Sequence, residues 1–426
     1  MMMLLGLGLI LIALFGAPLF AVIAAGAMLN YAANGIELVA LPIEFYRLAE
    51  MPVLLAIPLF TFAGYILSES GAPGRLMRLS ESLLGWMPGG LAIVSLILGA
   101  FFTAFTGASG VTIIALGALL HPALIQGGYQ ARFSLGLVTT LGSLGLLFAP
   151  SLPLILYGVI VQQSNLAGSF TMDQMFLAGI IPGVLMVGVL CLWSFWVNRD
   201  RRSTLKIFSF RRIGLALKES IWELPLPFLI FGGIYGGYFA ISEAAAVTAL
   251  YVVLVEVFLL REISLRELVD LTRRSMLLVG GILVILGFSF ASTNAAIDAG
   301  VPERLLSLVQ GSIQSRMAFL LLLNIFLLLL GAVLDIFSAL VLVVPILLPI
   351  ALSYGIDPIH LGIIFLANMQ LGYLTPPIGM NLFIASYRFE SSILTIYRST
   401  IPFFLLLFLT VLVLTYVPAL SHLLLG

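Results

Sequence analysis

Charge is what this chain has least of. Its 426 residues carry 19 basic and 19 acidic side chains, 9% in all, where an ordinary soluble domain is about a quarter charged. That scarcity excludes a soluble globular protein, and the formal net charge of +0 leaves no electrostatic footprint for nucleic acid. Cysteine is nearly missing too. The single Cys191 lies in an apolar run, so it forms no internal disulfide and packing is its expected role. Three histidines, His121, His360 and His422, stand in separate segments without HExxH spacing, which removes metal-dependent hydrolysis. No GxSxG or Walker pattern occurs, so nothing here acylates a serine or hydrolyses ATP. Work done by such a chain has to be driven by an ion gradient.

Apolar residues fill the space that charge leaves, at 62% with a mean hydropathy of +1.20. This is an all-α polytopic membrane protein, with room for about ten segments of ~20 residues. Apolar spans are expected near 4–28, 52–67, 131–164, 175–197, 224–240, 243–260, 276–292, 359–388 and 400–424. Met1–Asn30 is apolar for too long, with no basic residues ahead of it, and reads as a first span rather than a cleaved signal. Residues 88–122 and 316–350 each show two short apolar arms meeting at a Gly-containing tip, and read as re-entrant hairpins. Segments 36–50, 72–86 and 303–314 mix charge with apolar residues and suit interfacial helices. Spans 131–164 and 359–388 are interrupted by Gly and Pro. In lipid an unpaired amide or carbonyl is costly, so a broken helix survives only against protein or a wet cavity, and such breaks line binding sites near the midplane.

The interrupted stretch occurs twice. Without gaps, Pro122 falls on Pro349, Gly128 on Gly355, Gly145 on Gly372 and Pro150 on Pro377, each 227 positions apart (349 − 122, 355 − 128, 372 − 145, 377 − 150). Upstream, Gly71-Ala72-Pro73-Gly74-Arg75-Leu76 matches Gly300-Val301-Pro302-Glu303-Arg304-Leu305 at a spacing of 229 (300 − 71). A colinear set of Gly and Pro marks an internal duplication. The chain divides into a first repeat, 1–197, a basic loop, 198–223, and a second repeat, 224–426. That loop holds Arg199, Arg201, Arg202, Lys206, Arg211, Arg212 and Lys218, so the positive-inside rule makes it cytoplasmic. Counting crossings from it leaves only Arg47, Arg304 and Arg316 outside. The N-terminus is then cytoplasmic, and spans 52–67 and 276–292 run oppositely, so the repeats are inverted.

Oxygen donors cluster at the interruptions. Thr106, Ser109, Thr112, Ser143 and Ser151 supply hydroxyls in the first half, and Asp335, Ser338, Thr375 and Asn381 supply oxygens in the second. Pro150, Pro376 and Pro377 lack an amide proton, so carbonyls one turn earlier are expected to lose their helical partners. Freed carbonyls and hydroxyls make a hard-oxygen cage that suits a cation such as Na⁺. Half-helix amide ends beside it suit a carboxylate. The cation set is Thr106, Ser109, Gly110, Thr112, Gly142, Ser143 and Pro150 in one half, with Asp335, Ser338, Gly372, Thr375 and Pro377 in the other. The substrate set is Gly107, Ala108, Ser109, Ser151, Pro376, Gly379 and Asn381. For each Ser or Thr the alternative is back-bonding to a helix carbonyl. For Asp335 it is a helix cap. Glu243 and Glu256 are expected to cap or snorkel, and Gly232, Gly233, Gly236 and Gly237 to allow close helix approach.

Over nearly its whole length the chain resembles the large membrane subunit, DctM type, of tripartite ATP-independent periplasmic (TRAP) transporters in the ion transporter superfamily. The likeness rests on Ile57-Pro58-Leu59-Phe60-Thr61-Phe62-Ala63-Gly64, the Gly99–Gly110 tip, Gly142–Gly158, Ser242-Glu243-Ala244-Ala245-Ala246, Gly331–Pro349 and Gly372–Asn381. The family's first tip usually carries adjacent serines and its first break Pro-Pro-Ser. Here they read Thr106-Gly107-Ala108-Ser109-Gly110 and Ala149-Pro150-Ser151. The resemblance implies Na⁺-coupled uptake, without a cofactor, of an organic acid delivered by a periplasmic substrate-binding protein. It implies a small four-helix membrane subunit on a separate chain and a place in the bacterial or archaeal inner membrane. It also implies an elevator, in which hairpins and broken helices move against the remaining spans. A standalone dicarboxylate or citrate carrier of the same superfamily is the alternative.

Overall fold

The computed structural model describes residues 8–9, 11–12, 15–33, 35–164, 170–199, 209–298 and 300–425, and among them it is built of helices and turns. The early helices are α1 Leu19–Ala33, α2 Ala40–Ala49, α3 Ala56–Glu69 and α4 Ala72–Leu84. Next come the first hairpin, α5 Gly90–Thr106 and α6 Ser109–Gln126, and the first broken helix, α7 Ala131–Leu141 and α8 Leu152–Gln163. α9 Met172–Val197 and α10 Phe210–Glu219 precede α11 Pro225–Tyr235, α12 Ile241–Leu259, α13 Leu265–Asp298 and α14 Val301–Ser312. The second hairpin is α15 Arg316–Val333 and α16 Ile336–Ser353, and the second broken helix is α17 Pro358–Gly372 and α18 Met380–Arg388. α19 Ile393–Tyr416 and α20 Ala419–His422 close the chain. Eight described helices are long and apolar enough to cross a membrane.

The duplication seen in Gly and Pro reappears in the helix ends. α6 maps onto α16 at both ends (336 − 109 and 353 − 126 are both 227), α5 and α15 end in step (333 − 106), and α7 and α17 begin in step (358 − 131). The cause is local. Gly128 and Gly355 both take positive φ, 77° and 68°, just past their helices, a conformation that glycine adopts without steric cost.

Some expectations shift. The apolar stretch 4–28 is not one continuous helix. It turns at Phe15–Pro18, where Gly16 has φ 91° and Pro18 cannot continue a preceding helix, and the described helix runs on to Ala33. Of that span, 4–7, 10 and 13–14 lie outside the described residues, as do Arg201, Arg202 and Lys206 of the basic loop. Span 224–240 yields only the short α11, which contains a π-helical turn over Phe228–Gly232. Its glycines do not bring helices together: a Cβ at Gly232 or Gly237 would meet nothing within 4 Å, and at Gly233 or Gly236 the nearest atoms belong to Phe239, Gly232 and Tyr238 of the same segment. The hairpin arms are not short: α5 has 17 residues, and α6, α15 and α16 have 18 each.

Packing sorts the helices into two groups. α1, α3, α12 and α13 pack on one another, while both hairpins and both broken helices pack together with α9 and α19. α9 and α19 therefore pack with the broken helices. Two seams join the groups. Gly64 of α3 faces α5 so closely that a Cβ there would sit 2.5 Å from the Phe105 carbonyl oxygen. In the other half Ser289 of α13 donates to the Val341 carbonyl of α16 at 2.6 Å.

A buried ion cluster fastens α4 beside the first seam. The Arg75 guanidinium donates to Glu223 (2.6 Å from Nε), Glu256 (3.2 Å) and Glu262. Glu243 caps α12, its carboxylate accepting from the Ala240 amide at 2.8 Å. Glu256 does not snorkel: it is 1% exposed and held by Arg75. Burial pushes the Glu262 carboxyl up, but the Gly71 amide and Arg75 outweigh it and hold the group below the usual glutamate value of 4.5. A depressed folded pKa gives stability that is full above the unfolded value and is lost as pH falls through the folded one. Melting temperature measured against pH should therefore show an acid-side decline in the wild type that Glu262→Gln flattens. Parallel curves would contradict this.

Candidate functional site: two tips against two breaks

The first tip is a tight reversal between α5 and α6. Gly107, at φ 62°, ends α5 and leaves room for Leu152, against which a Cβ would lie at 2.5 Å. The reversal carries Thr103, Thr106 and Thr112 inward, all at most 1% exposed. Thr112 Oγ1 lies 3.1 Å from Thr103 Oγ1 and 3.3 Å from Thr106 Oγ1. Thr103 also reaches the carbonyls of Gly142 at 3.1 Å and Leu141 at 3.4 Å, where α7 unwinds. The Ser109 carbonyl oxygen lies 3.0 Å from where a Gly142 Cβ would be. Neutral oxygens thus converge among buried side chains, the donor set expected for a weakly charged hard cation.

Of the residues expected here, Thr106, Thr112, Gly142 and Ser109 come together. Gly110 faces the other way, its Cβ position 2.8 Å from Ile384 of α18. Ser143 turns to the second half, where its hydroxyl donates to the Gln370 carbonyl at 3.3 Å. These two residues are repeat equivalents (370 − 143 = 227). Pro150 lines an apolar cavity instead of the oxygen cage. Ser151 is fully buried and donates to the Leu146 carbonyl at 2.8 Å. That carbonyl, four residues before Pro150, was expected to be free. In the second break the Gly372 carbonyl, four before Pro376, accepts from the Thr375 amide at 2.9 Å. Buried acceptors find donors, here a hydroxyl at Leu146 and a tight turn at Gly372. The Ala149–Pro150 and Pro376–Pro377 peptide bonds are both cis.

The second tip is pinned to its break by other chemistry. The Gly379 amide donates to the Ala332 carbonyl at 3.0 Å, and the Tyr373 hydroxyl accepts from the Ile336 amide at 2.7 Å. Gly372 lies against Gly331, where a Cβ would be 2.6 Å from the Gly331 Cα. Asp335 caps α16: its carboxylate accepts from the amides of Phe337 and Ser338 at 3.0 Å each and from the Ser338 hydroxyl at 2.6 Å. The capping alternative describes it, and Ser338 serves that cap. Thr375 back-bonds to Leu371 at 3.1 Å, and the Pro377 carbonyl accepts from the Tyr397 hydroxyl at 2.6 Å. Pro376 is exposed beside them.

A third junction crosses the halves. Ser109 Oγ lies 4.0 Å from the Met380 sulfur, Arg388 Nε donates to the Ile114 carbonyl at 3.2 Å, and Gly117 meets Phe389. The contacts advance together along both chains, so α6 and α18 run parallel with their N-termini side by side. Ala108 and Ser109 open one and Gly379 the other. Asn381 is buried behind them, donating to the Thr139 carbonyl and to Ser143 Oγ at 3.2 Å each. It ties the two breaks together and does not face outward.

Sequence reasoning passed over Thr103, Tyr373, Tyr397 and Arg75. Thr103 had a legible signal, since three residues before Thr106 it shares that helix face. The others act across distant segments.

Paired hairpins and broken helices around an oxygen cage define a membrane transport permease. The chain matches the family model described as "Tripartite ATP-independent periplasmic transporter, DctM component" over residues 3–420, and it belongs to that family. It is 32% identical over 406 residues to the isethionate TRAP transporter permease protein DctMQ of Oleidesulfovibrio alaskensis, covering 95% of this chain and 61% of that protein. It is 32% identical over 378 residues to the C4-dicarboxylate TRAP transporter large permease protein DctM of Rhodobacter capsulatus, covering 86% of each. The crystal structure of the YdaH transporter of Alcanivorax borkumensis shares the fold, with a TM-score of 0.64 at 15% identity over 89% of this chain and 87% of that one. These relatives are transporters, and the chain is a multi-pass transport subunit of the bacterial inner membrane, not an enzyme.

Proposed function

We propose that this permease couples Na⁺ entry to uptake of a small organic anion. The observation that carries the reading is the parallel pair α6 and α18, joined at Ser109 and Met380. Two helix N-termini brought together present their unpaired amides and positive dipole ends to one place, which favours an anion. The α16 N-terminus is already occupied by Asp335, which leaves the junction as the better anion site. Na⁺ is held by the threonine cage of the first tip and by the second tip against its break. The relatives' names, isethionate and C4-dicarboxylate, fit a small acid. The partners are a periplasmic binding protein and a small four-helix subunit. The hairpins re-enter from opposite sides, the basic loop and N-terminus are cytoplasmic, and the group containing the breaks moves as an elevator against α1, α3, α12 and α13.

Uptake in proteoliposomes holding the assembled system should vanish when K⁺ replaces Na⁺. Thr103→Val, which keeps shape but removes one oxygen, should raise the Na⁺ concentration for half-maximal uptake about tenfold, the equivalent of about 1.4 kcal/mol. Full uptake driven by a pH gradient alone, or an unchanged Na⁺ requirement in Thr103→Val, would refute the cage.

A further inference from the structure

A cavity of 450 Å³ lies between α5, the first break, α9 and α11. Phe101 and Phe105 of α5, Phe148 and Pro150 of the break, Val187 of α9 and Ile230 of α11 form much of its wall. On α5 the lining positions 97, 100, 101, 104 and 105 follow helical spacing along one stripe. The cage threonines 103 and 106 lie on a different face, so the two sites are separate. Two of the lining residues, Ile97 and Val184, are 43% and 55% exposed on apolar helices, so the cavity wall reaches the surface that a bilayer would cover.

The lining decides the ligand class. No lining side chain offers an oxygen or nitrogen, and a buried water needs two to four polar partners. An organic anion would be stranded without a donor. An apolar cavity of about 150 Å³ already binds benzene, and this one is three times larger. A partner helix is too bulky: one turn, about 5.4 Å high and 10–12 Å across, would fill the whole volume. We infer that the cavity is a binding site for one acyl chain of a membrane phospholipid, inserted sideways between the first break and α11. Nothing in this depends on the identity of the coupling ion or the transported anion. Because α11 packs on α12 of the other group, an inserted chain would wedge the first break against α11.

Gly188 supplies the test. It lines the cavity, and a Cβ there would meet nothing within 4 Å. The full chain is reconstituted, alone and with its small subunit, in phosphatidylcholine vesicles whose acyl chains carry a diazirine. After photolysis the labelled residues are mapped by mass spectrometry. Wild type and Gly188→Ala should be labelled at Phe101, Val187 and Ile230, and Gly188→Phe should lose those labels. Gly188→Leu, a smaller plug, should lose most of them and stands in if the Phe variant fails to fold. Labelling confined to Ile97 and Val184 would mean surface lipid only and would overturn the site. So would labels indifferent to both plugs, or labels that disappear when the small subunit is present, which would assign the cavity to a side chain of that subunit.

Discussion

Arg75→Ala should cost this protein about 3–5 kcal/mol, the loss expected when one partner of a buried ion pair is removed. Arg75 sits among three carboxylates, and the side chains of Glu223 and Glu256 are each 1% exposed. Removing the guanidinium leaves buried charges with no counter-charge, whereas Glu256→Gln removes one of three mutually repelling acids and should change stability by less than about 1 kcal/mol. The duplication provides a control. Arg304 occupies the equivalent position on α14 but is exposed, so Arg304→Ala should stay within about ±0.5 kcal/mol. Unfolding in detergent, followed for the three variants side by side, measures this. Equal effects at Arg75 and Arg304 would show that the cluster adds nothing.

Gly145→Ala should be nearly as damaging, and at the site itself. A Cβ at Gly145 would lie 2.2 Å from the Ala100 carbonyl oxygen, 2.3 Å from the Ala104 amide nitrogen and 2.7 Å from the Thr103 carbonyl carbon. All three are backbone atoms of α5, so no side chain can swing aside. Overpacking of this kind costs about 1–3 kcal/mol and at times more. Because the clash involves the turn that carries Thr103, the break must part from the threonines of the first tip, and uptake should fall even where the variant still folds. Gly372→Ala should act alike in the second half, where Gly331 backbone lies 2.6 Å from the added carbon. Gly280 in α13 has nothing within 4 Å of such a carbon, so Gly280→Ala should gain about 0.5–1 kcal/mol from helix propensity alone. Wild-type stability and uptake in Gly145→Ala would refute the close approach of break and hairpin.

The architecture was legible because it is written in local, repeated signals. The Gly and Pro at the breaks and helix ends act locally, so the spacing of 227 that aligns Gly145 with Gly372 also aligns α6 with α16. Apolar content fixed the membrane class, since a chain this poor in charge has no other way to bury its surface. The site was legible in outline only. Thr106, Thr112 and Gly142 belonged together, but Ser143 and Ser151 read equally well and turned elsewhere. A hydroxyl's direction depends on where the neighbouring backbone leaves an acceptor, and for Ser151 that is Leu146 of its own break.

The sequence by itself determined the membrane class, the two hairpins, the two broken helices and their duplication, because each follows from short-range steric and hydrophobic rules. Only the tertiary structure decided that Thr103 reaches the Gly142 carbonyl. It alone set α6 parallel to α18 across the halves and gathered three distant glutamates on Arg75. The parallel pair and the Arg75 cluster depend on which donor meets which acceptor once elements more than a hundred residues apart are packed, and in a low-dielectric interior each such pairing is costly to leave unmade.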